Sequence, residues 1–167
     1  PFIDKNNLQD IYFAGGCFWG VEEYFSRIPR VYYVTSGYAN GTTANPTYKA
    51  VCSGTTGYAE AVHIQYDPKI ISLKTLAEQL FAIINPLSVN RQGNDVGSQY
   101  RTGMYYVVDE DRPVLEAVMA AEQQKYDKPL AVELEPLQNY YLAEDYHQDY
   151  LQKNPNGYCH ISFDSLD

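Results

Sequence analysis

The 167-residue sequence predicts a sheet with helices packed against it, of the α/β or α+β class. Three observations lead there. Strand-like and helix-like segments alternate along the chain. Apolar residues make up 45% and aromatics 14%, enough for one domain with a sizeable core and too many for a disordered acidic tail. The only long apolar stretch, Leu76 to Pro86, is interrupted by Glu78, Gln79 and Asn85, so nothing approaches the ~20 apolar residues of a transmembrane helix.

Each element has a local reason. Asp10–Ala14 reads as a short strand stopped by Gly15-Gly16. A helix then starts near Cys17 and runs to about Arg27, ending before Pro29. Val31–Tyr38 is β-branched and aromatic, hence a strand. Asn40-Gly41 marks a turn, and Pro46 opens a short helix through Tyr48 to Cys52. Tyr58–Tyr66 alternates as a strand does. Ser72–Ile84 is the clearest helix: Ser72 can cap it, and Leu73, Leu76, Ala77, Leu80, Phe81 and Ile84 recur on one face. Leu87–Thr102 is polar and Gly-bearing, a long loop. Met104–Val108 is a strand, Pro113 opens a helix through about Tyr126, and Ala131–Leu134 is a short strand. Glu144–Lys153 reads as a helix stopped by Asn156-Gly157.

The formal charge is -9, from 12 basic and 21 acidic residues. Residues 1–107 carry eight of each sign; residues 108–167 carry thirteen acids and four bases, so the excess lies in the last third. Such a chain has no electrostatic reason to bind nucleic acid or an anionic membrane. Cys17, Cys52 and Cys159 are far apart, and an odd number cannot form a fully paired framework within one chain. No His/Cys cluster has zinc-ligand spacing. The cysteines are therefore one or two reactive thiols, or three inert ones.

The most informative run is Gly15-Gly16-Cys17-Phe18-Trp19-Gly20, a strand entering two glycines and then a cysteine at a helix start. Free N–H groups and partial positive charge at a helix N-terminus favour thiolate, the nucleophilic form. Phe18 and Trp19 would wall a small apolar group. The alternative is a buried cysteine in an aromatic core. In the strand Tyr58–Tyr66, Glu60 falls on the apolar face with Val62, Ile64 and Tyr66. A carboxyl there loses solvation, stays protonated and becomes a proton donor. Among seventeen tyrosines, Tyr48 and Tyr100 stand out by company: Tyr48 follows Asn45-Pro46-Thr47, and Tyr100 follows Asp95-Val96-Gly97-Ser98-Gln99 in the long polar loop. Cys17 with His147 and Asp145 or Asp149 also has the composition of a Cys-His-Asp hydrolase site. A peptide-binding module using the aromatic pocket without catalysis is a third reading.

Taken together, Gly16-Cys17-Phe18-Trp19-Gly20, Asn45-Pro46-Thr47-Tyr48, Cys52-Ser53-Gly54 with Thr56 through Val62, Asp95 through Arg101, Ala143 through His147 and Gly157-Tyr158-Cys159-His160 resemble the peptide methionine sulfoxide reductase A family. The likeness runs from about Ile11 to Ile161. It implies an α+β fold, a two-layer α/β sandwich with a ferredoxin-like core and long surrounding loops, over a single catalytic domain at 1–167. It implies reduction of the S epimer of methionine sulfoxide, free or in proteins, with no metal and no bound organic cofactor. Residue by residue, it implies Cys17 as nucleophile, Glu60 as the acid on the sulfoxide oxygen, Tyr48 and Tyr100 as hydrogen-bonding partners of that oxygen, and Asp95 on the polar side of the pocket. Phe18 and Trp19 would hold the substrate methyl. Cys159, on a mobile tail, would resolve the Cys17 sulfenic acid to a disulfide reduced by thioredoxin or a thioredoxin-like protein, while Cys52, near Tyr48 on its short helix, is read as structural, with resolution in place of Cys159 as the alternative. Tyr58 departs from the family, where many relatives carry His. The short acidic end after Cys159-His160-Ile161 resembles the form in which such a domain is fused to an MsrB domain, and with Pro1 opening the chain the expectation is an excised domain. Either compartment suits the sequence: a reducing cytoplasm fits a recycled thiol, and fused forms are also exported.

Overall fold

The computed structural model describes residues 2–166. Its frame follows from four strands and two crossover helices. In chain order these are β1 (Gln9–Gly15), α1 (Phe18–Ser26), β2 (Val31–Ala39), then, after the short α2 (Tyr48–Cys52), β3 (Ala59–Tyr66) and α3 (Leu73–Ile83). The chain continues through a two-residue hairpin, β4 (Arg91–Gln92) and β5 (Asp95–Val96), into β6 (Thr102–Tyr106). β3 pairs antiparallel with both β1 and β2, and β1 pairs antiparallel with β6. The order β6-β1-β3-β2, with α1 and α3 as crossovers between parallel strands, is the ferredoxin-like arrangement. After α4 (Asp111–Gln123), β7 (Glu133–Pro136) extends one edge parallel to β6, and β8 (Tyr140–Leu142) extends the other antiparallel to β2.

The two layers come from side-chain periodicity. Ile11 and Phe13 of β1 and Val62 and Ile64 of β3 face Val21 and Phe25 of α1 and Leu76 and Leu80 of α3, forming one buried core. The other sheet face is thinner: Ala14, Ala39, Ala59, Ala61 and Tyr105 are buried there under Tyr12, Leu137 and Tyr140. Helix α3 starts as its sequence dictates, with the Ser72 side chain accepting the Thr75 N–H at 3.1 Å. Thr47 caps α2 by accepting the Ala50 N–H. Among the described residues no helix is long and apolar enough to cross a membrane.

Four segments depart from the sequence reading. The expected helix Glu144–Lys153 is broken into a 3₁₀ turn at Asp145–His147, a left-handed Asp149 (φ 52°) and a short α5 at Tyr150–Lys153. Long-range bonds cause the break. The Gln148 amide pairs with the backbone N–H and C=O of Ser36, and the Asp149 N–H donates to Glu22, so tertiary partners outcompete the helix ladder. The polar loop at 87–102 holds the β4–β5 hairpin and a 3₁₀ turn at Ser98–Tyr100. The strand expected at Ala131–Leu134 lies at Glu133–Pro136, where β6 offers its edge. The three-residue β8 has too little length for alternation to show, and only its pairing with Gly37–Ala39 defines it.

Candidate active site

The site forms where β1 hands over to α1. Gly16 takes φ +91°, so the chain turns sharply and delivers Cys17 to the N-cap of a nine-residue helix. Cys17 is 7% exposed. Burial pushes its pKa well above that of an ordinary thiol, Glu60 adds to the rise once it is ionised, and the Trp19 N–H at the helix start acts in the opposite direction. The substrate-free protein therefore holds Cys17 as a thiol. The helix end that favours thiolate and the burial that opposes it come from the same turn, which supplies the N–H groups and also buries the sulfur.

Glu60 sits where alternation on β3 puts it, on the core face, at 1% exposed. Its Oε1 accepts the Phe18 N–H at 3.1 Å, and its Oε2 is buried with no partner. Desolvation pushes its pKa up to about 8 despite that bond, and the charge of Asp95 assists. Glu60 is thus a neutral acid at pH 7, tied to the first helical residue after Cys17, with one oxygen free to offer a proton.

The remaining expected residues converge on this pair. Burial raises the pKa of the Tyr48 and Tyr100 hydroxyls, and Glu60 raises both further where it is ionised, so both are hydrogen-bond donors at any physiological pH. Tyr100 is carried by the 3₁₀ turn that follows the hairpin. Asp95 stands at the start of β5, with Oδ2 buried and unpartnered, and its charge reaches both Glu60 and Cys17. Phe18 is fully buried against Tyr38 and His147. Trp19 is half-buried and sharply oriented: its ring stacks on Tyr150 at 3.8 Å, and its Nε1–H donates to His147 Nδ1 at 2.9 Å.

That last bond removes the hydrolase reading. His147 Nδ1 is occupied by the indole, and among the described residues His147 makes no hydrogen bond to Cys17. Glu144 completes the scaffold by accepting from the Tyr38 hydroxyl and the Tyr48 N–H, which fixes α2 to the site. Tyr150 was absent from the sequence reading. Its three-residue spacing from His147 gives no sign of the contact with Trp19, which depends on the left-handed turn at Asp149. Cys52 is solvent-exposed, yet the hydroxyls of Tyr48 and Tyr100 both bear on its sulfur. The tail holding Cys159 is docked on α1: a Cβ on Gly20 would lie 3.0 Å from the Cys159 sulfur, and Ile161 is buried in the core.

A buried thiol beside a neutral carboxylic acid, two phenols and a fixed indole defines a thiol-dependent oxidoreductase site for a small group with one basic oxygen and an apolar neighbour. Sequence and structure comparisons make this specific. The family model described as peptide methionine sulfoxide reductase matches residues 9–167, and the chain belongs to that family. It is 54% identical over 157 residues to "Peptide methionine sulfoxide reductase MsrA" of Clostridium botulinum (strain Okra / Type B1), covering 94% of this chain and 100% of the relative. Against the MsrA of Mycoplasma genitalium it is 52% identical over 157 residues, again 94% and 100% of the two chains. Among solved structures, reduced Mxr1 from Saccharomyces cerevisiae superposes with a TM-score of 0.89 at 38% identity, covering 95% of this chain and 92% of that one. Methionine sulfoxide reductase A of Corynebacterium diphtheriae gives 0.83 at 36% identity, covering 93% and 79%.

Proposed function

We propose that residues 1–167 act as one catalytic domain that reduces the S epimer of methionine sulfoxide, free or in proteins, with Cys17 as nucleophile and Glu60 as proton donor. The observation carrying this is the unpartnered Oε2 of a buried, neutral Glu60 whose other oxygen is pinned to the helix start behind Cys17. A sulfoxide oxygen is a poor leaving group until it receives a proton. Glu60 supplies that proton, and Tyr48 and Tyr100 donate hydrogen bonds to the oxygen as it gains charge. Trp19 and Phe18 hold the methyl group away from water.

The resting thiol fits this sequence of events. As Cys17 sulfur attacks, its proton restores Glu60, and the charge of the site is unchanged. Overall the sulfoxide S–O bond breaks, methionine leaves as the sulfide, and Cys17 keeps the oxygen as a sulfenic acid. Cys159 then attacks the Cys17 sulfur; an S–S bond forms, the S–O bond breaks, and water departs. A dithiol reductant of the thioredoxin class returns both cysteines to thiols. No metal or organic cofactor enters these steps.

Glu60→Gln tests the reading. The amide keeps the oxygen that accepts from Phe18 but carries no acidic proton. Methionine release should fall by about 10²–10³-fold, within the usual range for loss of a general acid. A loss within about twofold, worth only ~0.4 kcal/mol, would contradict the acid role.

A further inference from the structure

We infer that His160 is a positioning residue for the second step, fixing the resolving Cys159 against the helix that starts at Cys17. The inference rests on the assignment of Cys17 as nucleophile and Cys159 as resolving thiol.

His160 occupies a built slot. Its Nε2 lies 2.8 Å from the carbonyl oxygen of Gly15, two residues before the nucleophile. A carbonyl only accepts, so Nε2 carries the proton and donates. The ring is flanked by two glycines in left-handed conformations. A Cβ on Gly16 would fall 2.8 Å from His160 Nε2 and 2.7 Å from Gln92 Cβ, and a Cβ on Gly93 would fall 3.2 Å from His160 Cβ. Gln92 is itself locked, with its amide paired to the backbone N–H and C=O of Asn85. The imidazole therefore ties three separate segments together: the nucleophile turn, the β4–β5 hairpin and the C-terminal tail. Its Nδ1 is buried without a partner, and the charge of Asp95 reaches the ring.

The consequence falls on Cys159. On one side of it His160 is bonded to the backbone that leads into Cys17. Beyond that, Ile161 is inserted beside Gly20, and Phe163 lies under the Arg27 guanidinium at 4.1 Å. The Cys159 sulfur rests against Gly20 in the first turn of the helix that Cys17 caps, near enough for the two thiols to influence each other. A thiol held there meets a Cys17 sulfenic acid at a high effective concentration, with little chain entropy left to lose. The bond formed is Cys17–Cys159, the bond broken is the sulfenic S–O, and the Cys159 proton leaves with the hydroxyl as water. The oxidant is the sulfenic acid made in the first step.

The test is single turnover without reductant, with an S-epimer methionine sulfoxide peptide in excess, following methionine release and thiol loss by rapid acid quench. His160→Ala should release methionine at the unsubstituted rate but lose its second thiol at least about tenfold more slowly, as expected when an intramolecular step loses its preorganisation. A sulfenic-acid-trapping dione should then label Cys17. His160→Gln, which keeps an N–H donor near the Nε2 position, should restore the second thiol loss to within about threefold. Disulfide formation in His160→Ala as fast as in the unsubstituted protein overturns the inference. So does an equal slowing of methionine release, which would place the bond's role in the nucleophile turn, and so does a failure of His160→Gln to rescue. If the unsubstituted protein releases no methionine, or retains the Cys159 thiol, the underlying assignment fails instead.

Discussion

Of the glutamates buried around α1, Glu22 and Glu60 are the most deeply enclosed, and they are used in opposite ways. Glu22, inside the helix, is 2% exposed, and its Oε1 accepts both the Ser36 hydroxyl at 3.0 Å and the Asp149 N–H at 2.9 Å. Glu60, at the helix start, is equally buried but has one bond and one bare oxygen. Desolvation raises both, Glu22 to about 7 and Glu60 to about 8. Burial of a carboxyl is thus not by itself a sign of catalysis. What separates the two is satisfaction: Glu22 spends its acceptor capacity on joining β2 to the Asp149 turn, whereas Glu60 keeps a proton with no partner inside the protein.

The contrast is broken most sharply by activity. Glu60→Gln should lower single-turnover methionine release by about two orders of magnitude or more, while Glu22→Gln, whose amide oxygen still accepts from Ser36 and Asp149, should stay within about threefold. Comparable losses in both would mean that burial alone matters. Stability should show the reverse order. Glu22→Ala leaves the Asp149 N–H and Ser36 hydroxyl without their acceptor, and a loss of about 2–3 kcal/mol in denaturant unfolding is expected.

For Glu60 the expected effect is a gain on substitution rather than a loss, and it depends on pH. Its native pKa lies above its unfolded value, so the folded state holds a proton that the unfolded chain releases. Stability therefore declines as pH rises from about 4.5 through about 8. Glu60→Gln removes that slope, and its melting temperature should exceed the unsubstituted protein's more at pH 9 than at pH 4. Equal differences at the two pH values would show that Glu60 is ionised in the fold. The smallest effect concerns substrate binding. Asp149, anchored by Glu22, launches the turn that carries Tyr150 onto Trp19. Glu22→Ala should raise KM by a few-fold, about 1 kcal/mol, with kcat less affected. Trp19 is the sole tryptophan, so its fluorescence reports the same shift.

The sequence announced Glu60 because strand alternation is local: one residue out of register would have turned the side chain to the other face. Helix α3 was equally legible, since its cap and its apolar stripe lie within a dozen residues. Glu22 was not, because its meaning depends on Ser36 and Asp149, 14 and 127 residues away. The same distance hid the break in the helix expected at Glu144–Lys153 and the stacking of Tyr150 on Trp19. For Cys17 the helix start is legible in the sequence, whereas the burial that opposes its effect on the thiol is revealed only by the packed structure. The contacts of the tail were hidden in the same way, since the partners of His160 and Ile161, Gly15 and Gly20, lie near the other end of the chain.

The most direct measurement is the rate of single-turnover methionine release between pH 6 and pH 10, in the unsubstituted protein and in Glu60→Gln. If neutral Glu60 is the proton donor, the unsubstituted rate is level at low pH and falls about tenfold per unit above an apparent pKa near 8, and the residual rate of Glu60→Gln lacks that fall. A rate that rises through pH 8 as Cys17 ionises, alike in both proteins, would contradict the account and place the rate limit on the thiol alone.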